Sequence, residues 1–226
     1  MSDTAHTPQA PSLTPDQEEA AFYHEAALNA TWTGSRLLIG SLSFGFGAFV
    51  FAFFYLKSLN SHGLWYPTGT STFKPPQFGL GTTIMVLIVV SALVQWAGLT
   101  RIKAAQRSAW MGAAVVALVL GVVAACLQLF QLVDLPFWPG ASGFASVFVG
   151  TSPVFAVVVL GTMVYLEILI MRCRAIPQIS FVEQPPTFAE AFAVQRFQSA
   201  LSGFTLVWNY LAVIAVVLWV LFYLVH

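Results

Sequence analysis

Gly143 to Arg174 reads GFASVFVGTSPVFAVVVLGTMVYLEILIMRCR, an apolar run that stops abruptly at Arg172 and Arg174. At about 1.5 Å rise per residue, a helix of this length crosses a bilayer core of about 30 Å with residues to spare. Two residues break its uniformity: Pro153, a helix breaker, and Glu167, an acid at membrane depth. An acid inside a span is a functional candidate by default. Glu167 also lies near the basic cap, where pairing with Arg172 or Arg174, or snorkelling to the interface, is the structural alternative.

The rest of the chain repeats this pattern. The 226 residues are 58% hydrophobic and only 8% charged, against about 25% charged in soluble domains. Four further apolar runs are long enough to span: Leu37–Leu56, Phe78–Leu99, Trp110–Val133 and Leu201–Val225. None alternates with period two, so helices are expected rather than a barrel. The fold class predicted is an all-α membrane protein, with five transmembrane helices in a bundle.

Lys and Arg set the orientation. With the N-terminus inside, the inner segments hold Arg36, Arg101, Lys103, Arg107, Arg172, Arg174 and Arg196, and the outer ones only Lys57 and Lys74. Positive residues favour the inner side, which predicts N-terminus inside and C-terminus outside. Trp65, Tyr66 and Pro67, then Pro136, Trp138 and Pro139, are expected in an outer interfacial belt. A bacterial inner (cell) membrane, crossed several times, is the expected location.

Residues 1–35 read as a polar cytoplasmic tail and 36–226 as the transmembrane domain. Met1–Thr14 is proline-rich and polar, and disorder is expected there. Pro15–Leu28 predicts a short surface helix with acids in its first turn. Between the fourth and fifth spans, Thr187 and Glu190 form a capping box, predicting an interfacial helix that carries Phe188, Phe192 and Phe197 and leads into the fifth span.

Polar and small residues within the spans are the candidate contact sites. Gly40, Ser41, Ser43, Gly45 and Gly47 form a small-residue surface on the first helix, suited to a close neighbour or a lipid. Gln128 and Gln131 share a face of the third helix, where amides hydrogen-bond to adjacent helices. Trp208 opens the polar inner half of the fifth. The site residues are therefore Gly45, Gly47, Gln128, Gln131, Glu167 and Trp208, as helix-packing or lipid contacts, with no catalytic, cofactor-binding or metal residue. None of the four histidines lies in a span, and Cys126 and Cys173 are 47 positions apart. No cofactor is expected in this chain, no nucleic-acid partner, and no self-contained redox enzyme.

The order of features in the third and fourth helices resembles subunit III of the haem-copper cytochrome c oxidases, in its short five-helix bacterial form. Gly121 and Gln128 match that family's third-helix spacing, and Gln131 stands where the family has an acid. TSPVFAVVVLG keeps Thr151 and Gly161 of a TGFHGxHVxxG-like motif, but Val154 and Val157 replace both histidines. Phe46, Gly47, Phe49, Ala52 and Phe54 follow the first-helix pattern, whose acid falls near Leu42. WNYLA stands where the family has WHFVD, so Trp208 matches while Asn209 and Ala212 replace the polar pair.

The resemblance covers Arg36 to the C-terminus. It implies a non-catalytic subunit of a respiratory terminal oxidase, packed on catalytic subunit I, which carries the haem and copper. It also implies a V-shaped cleft filled with phospholipid, and support for the partner's stability and proton uptake. The likeness also suits, as an alternative, the subunit III-like partner of a nitric oxide reductase. From a different class, a stand-alone transporter or channel for small solutes would need intramembrane charges along a path, and Glu167 alone offers one.

Overall fold

The computed structural model describes residues 15–59, 65, 76–182 and 188–225. These form α1 (Pro15–Ser58), α2 (Phe78–Lys103), α3 (Arg107–Val133), α4 (Gly143–Ala175), the single turn α5 (Ile179–Val182) and α6 (Phe188–Tyr223). Five of the helices are long and apolar enough to cross a membrane, so the chain is a multi-pass helical membrane protein.

Short turns link α2 to α3 and α3 to α4, so each packs antiparallel on the next. The helix ends that carry Arg101, Lys103, Arg107, Arg172 and Arg174 come together at one end. There the Arg107 side chain lies against the Cys173 thiol, and the Trp110 and Phe197 rings meet edge to face at 5.2 Å. At the opposite end Gln77 Nε2 donates to Asp134 Oδ2 at 3.1 Å, and Lys57 Nζ donates to the Val225 carbonyl.

α6 is the central helix, packed on α2, α4 and α1. Half of its apolar window is buried, against 11% for α1. The crossing of α1 over α6 is close: a Cβ at Gly203 would collide with Ser35 Oγ. Nearby, Ser199 Oγ donates to the Leu28 carbonyl at 2.7 Å. Higher up, Ser43 Oγ donates to Tyr210 Oη at 2.9 Å.

Two expectations change. Pro15–Leu28 is not a separate surface helix. It opens the 44-residue α1, which runs unbroken through the position read as the tail boundary. Alanines and acids continue the helix, and no proline or glycine pair interrupts it before Arg36. The interfacial helix read from Phe188 does lead into the fifth span, with no boundary between them: both are the single helix α6. Its cap at Thr187, like the disorder read into Met1–Thr14, falls outside the described residues.

Trp65 is the second change. It does not belong to an interfacial belt: its indole is 2% exposed. It meets Phe53 edge to face at 5.0 Å and Phe144 at 5.9 Å, plugging the space between α1 and α4. Its carbonyl accepts from the Phe144 N–H at 3.2 Å. Together with the Ser142 side chain, which accepts from the Ala145 N–H at 3.1 Å, it satisfies donors that an N-terminus leaves open. Trp138, by contrast, is 83% exposed, as a belt residue is. Tyr66 and Pro67 lie outside the described residues.

Candidate functional site

The six singled-out residues do not converge; they divide among three places. The first is a polar seam where α2, α3 and α6 meet. Trp208 is fully buried and its Nε1 donates to Ser91 Oγ at 3.2 Å. Ser91 Oγ in turn donates to the Ala117 carbonyl at 2.7 Å, so one short chain ties three helices. Toward the far end, Gln131 Nε2 donates to Tyr223 Oη at 2.7 Å, and Trp219 Nε1 donates to Thr82 Oγ1 at 3.0 Å. A glycine at position 81 makes room for this arrangement, since any Cβ there would strike the Tyr223 ring. Gln128 lines a small cavity of about 40 Å³ shared by α2, α3, α4 and α6, with Ser152 as another polar wall.

Sequence reading finds Gln128, Gln131 and Trp208 but misses their partners Ser91, Thr82 and Tyr223. A serine or threonine in an apolar run carries no mark of burial; only the neighbour's register reveals it. Gln95 belongs to the same seam at the basic end. It is fully buried, and among the described residues neither its Nε2 nor its Oε1 has a hydrogen-bond partner.

Glu167 occupies the second place. It is exposed on the outer face of α4, in a stripe with Val157, Val164, Ile168 and Met171. It lies neither in the seam nor in the groove described next. Seven residues separate it from Arg174 along one face, about 10 Å, and no ion pair joins the two among the described residues.

The third place is α1. Its packing partners are α6 and α4, and a groove of about 470 Å³ opens between α1 and α4 over a floor of α6. Thr31, Gly34, Ser35, Leu38 and Leu42 form one wall, Val158, Gly161, Thr162 and Tyr165 the other, with Phe204 and Val207 beneath. The wall residues of α1 recur at helical spacing, and Gly161 leaves the width that a side chain would fill.

Gly45 and Gly47 do not enter this groove's lining, and no atom of the described residues lies within 4 Å of a Cβ built on either. Gly47 belongs to a surface of α1 that the described residues leave uncovered, whereas Gly45, two positions back, lies on the other side of the helix and is half-buried. Gly40, Phe44, Gly47, Phe51 and Tyr55 follow one another down that face, with Phe44 83%, Phe51 70% and Tyr55 51% exposed. The Phe51 and Tyr55 rings stack at 5.9 Å.

Among the described residues, no three His, Cys, Asp or Glu side chains converge as metal ligands. Cys126 is exposed and Cys173 buried, and both are free thiols. The arrangement defines a helical membrane protein with an internal polar seam, an apolar groove and, on α1, an exposed face of glycines and aromatics. No protein-family model matches the chain, and no curated protein matches it.

Proposed function

We propose that this chain is a non-catalytic, subunit III-like component of a respiratory haem-copper terminal oxidase. On this reading it lies in a bacterial inner membrane with its N-terminus inside, beside a catalytic subunit that carries the haem and copper. It supports that subunit's stability and proton uptake, and the α1–α4 groove takes phospholipid.

The observation that carries the reading is the uncovered face of α1. Small and aromatic residues alternate along it at helical spacing, from Gly40 through Phe44, Gly47 and Phe51 to Tyr55. Lipid alone needs no such relief, because small residues between helices serve close backbone approach. Aromatics separated by glycines offer both knobs and recesses to a second membrane protein. The half-kept motifs at Gly121, Gln128, Thr151, Gly161 and Trp208 point to the class of partner. The groove supports the lipid component, being lined mainly by apolar side chains such as Leu38, Leu42, Val158, Phe204 and Val207.

The test is purification of the tagged chain from its native membranes in mild detergent, followed by a visible spectrum. A haem-bearing multi-helix subunit is expected to co-purify in stoichiometric amount. Recovery of the chain without any haem protein overturns the reading.

A further inference from the structure

At the basic end of the bundle, the last turn of α4 and the first turns of α6 enclose a recess of about 420 Å³. It shares no residue with the α1–α4 groove. We infer that this recess is a headgroup site for an anionic phospholipid, its phosphate held between the guanidinium groups of Arg172 and Arg196.

Four observations carry this. The two arginines come from different helices and line one recess, so the juxtaposition arises from the fold and not from a run of like charges. Both are exposed, and neither forms an ion pair among the described residues. The rest of the described lining is apolar: Ala175, Ile176, Phe192, Ala193 and Phe197. The nearest described acid on α6, Glu190, is engaged elsewhere, with its Oε2 accepting from Ser180 Oγ at 3.2 Å.

Two guanidiniums can each offer paired N–H donors to phosphate oxygens, a geometry that an ammonium cannot reproduce. The apolar floor distinguishes a lipid from a free anion. A hydrated phosphate gains nothing from Phe192 and Ile176, whereas the glycerol and first methylenes of a lipid bury against them. The floor is also braced. Phe197 is held edge to face by Trp110 at 5.2 Å and by Phe181 at 6.2 Å. The His24 ring of α1 rests on Phe192 with centroids 3.9 Å apart. A lipid bound here therefore presses on a joint of α1, α4 and α6. Basic recesses between spans at the membrane boundary are where anionic headgroups bind.

The site is tested on the full chain in detergent by native mass spectrometry, against equimolar dioleoyl phosphatidylglycerol and dioleoyl phosphatidylcholine. These lipids share acyl chains and differ in headgroup charge. Preference for phosphatidylglycerol is expected, falling roughly fivefold with Arg172→Gln or Arg196→Gln and about 25-fold with both, at about one lost charge contact each. Arg101→Gln, at the same end but outside the recess, should leave the preference unchanged. A double variant that keeps its preference overturns the assignment. So does inorganic phosphate that displaces phosphatidylglycerol at equal concentration, since the site would then serve a free anion. If the double variant does not fold, the unmodified chain still decides. Its preference must weaken between 50 and 500 mM salt, and a salt-independent preference rejects a charge-held headgroup.

Discussion

The Gln131 amide of α3 hydrogen-bonds to the Tyr223 hydroxyl of α6 at 2.7 Å, inside the apolar end of the bundle. Gln131 is 3% and Tyr223 9% exposed, so removing either partner strands a polar group where water cannot replace it. Tyr223→Phe is expected to lower stability by about 0.5–2 kcal/mol, measured by thermal unfolding in detergent. Tyr223→Phe combined with Gln131→Leu should recover most of that loss, because no orphan remains. Additive losses in the double variant would mean that the bond is not what couples α3 to α6.

Gln95 presents the opposite situation. Its amide is fully buried and lacks partners on both atoms. Gln95→Met keeps the shape and removes the desolvated dipole, so stability should rise by about 1 kcal/mol. A fall in the unfolding temperature would show that the amide is satisfied in the membrane.

Gly203 sets how near α1 comes to α6. A side chain there meets Ser35 Oγ and the Thr31 carbonyl. Gly203→Leu should push the helices apart at a cost of about 1–3 kcal/mol. Gly34→Ala, in open space, should be neutral. The readout is disulfide cross-linking between Leu28→Cys and Ser199→Cys, placed where Ser199 Oγ reaches the Leu28 carbonyl at 2.7 Å. An unchanged yield in Gly203→Leu would contradict a close crossing.

Gly40 and Gly47 have room for larger side chains among the described residues. Gly40→Leu with Gly47→Leu, both on the uncovered face, should therefore leave the unfolding temperature of the isolated chain unchanged while reducing recovery of the haem-bearing partner. Equal recovery would place the partner on another face.

Sequence alone determined the class of fold, because the membrane constrains the chain one residue at a time. Each spanning segment must be apolar along about 20 residues and must satisfy its own backbone, so a run such as Gly143–Arg174 declares itself without reference to any neighbour. Charge added a cluster of arginines at one end, and the fold does bring Arg101, Arg107, Arg172 and Arg174 together there, with Lys57 at the other.

Contacts between helices were a different matter. Inside a bilayer nearly every surface is apolar, so hydropathy does not distinguish a lipid-facing face from a buried one. Only the tertiary structure showed that Glu167 faces outward, that Trp65 is a buried plug and that Gln131 has found Tyr223. The same holds for the Arg172–Arg196 recess. Twenty-four positions separate the two arginines in the sequence, and it is the return of α6 along α4 that makes them one site.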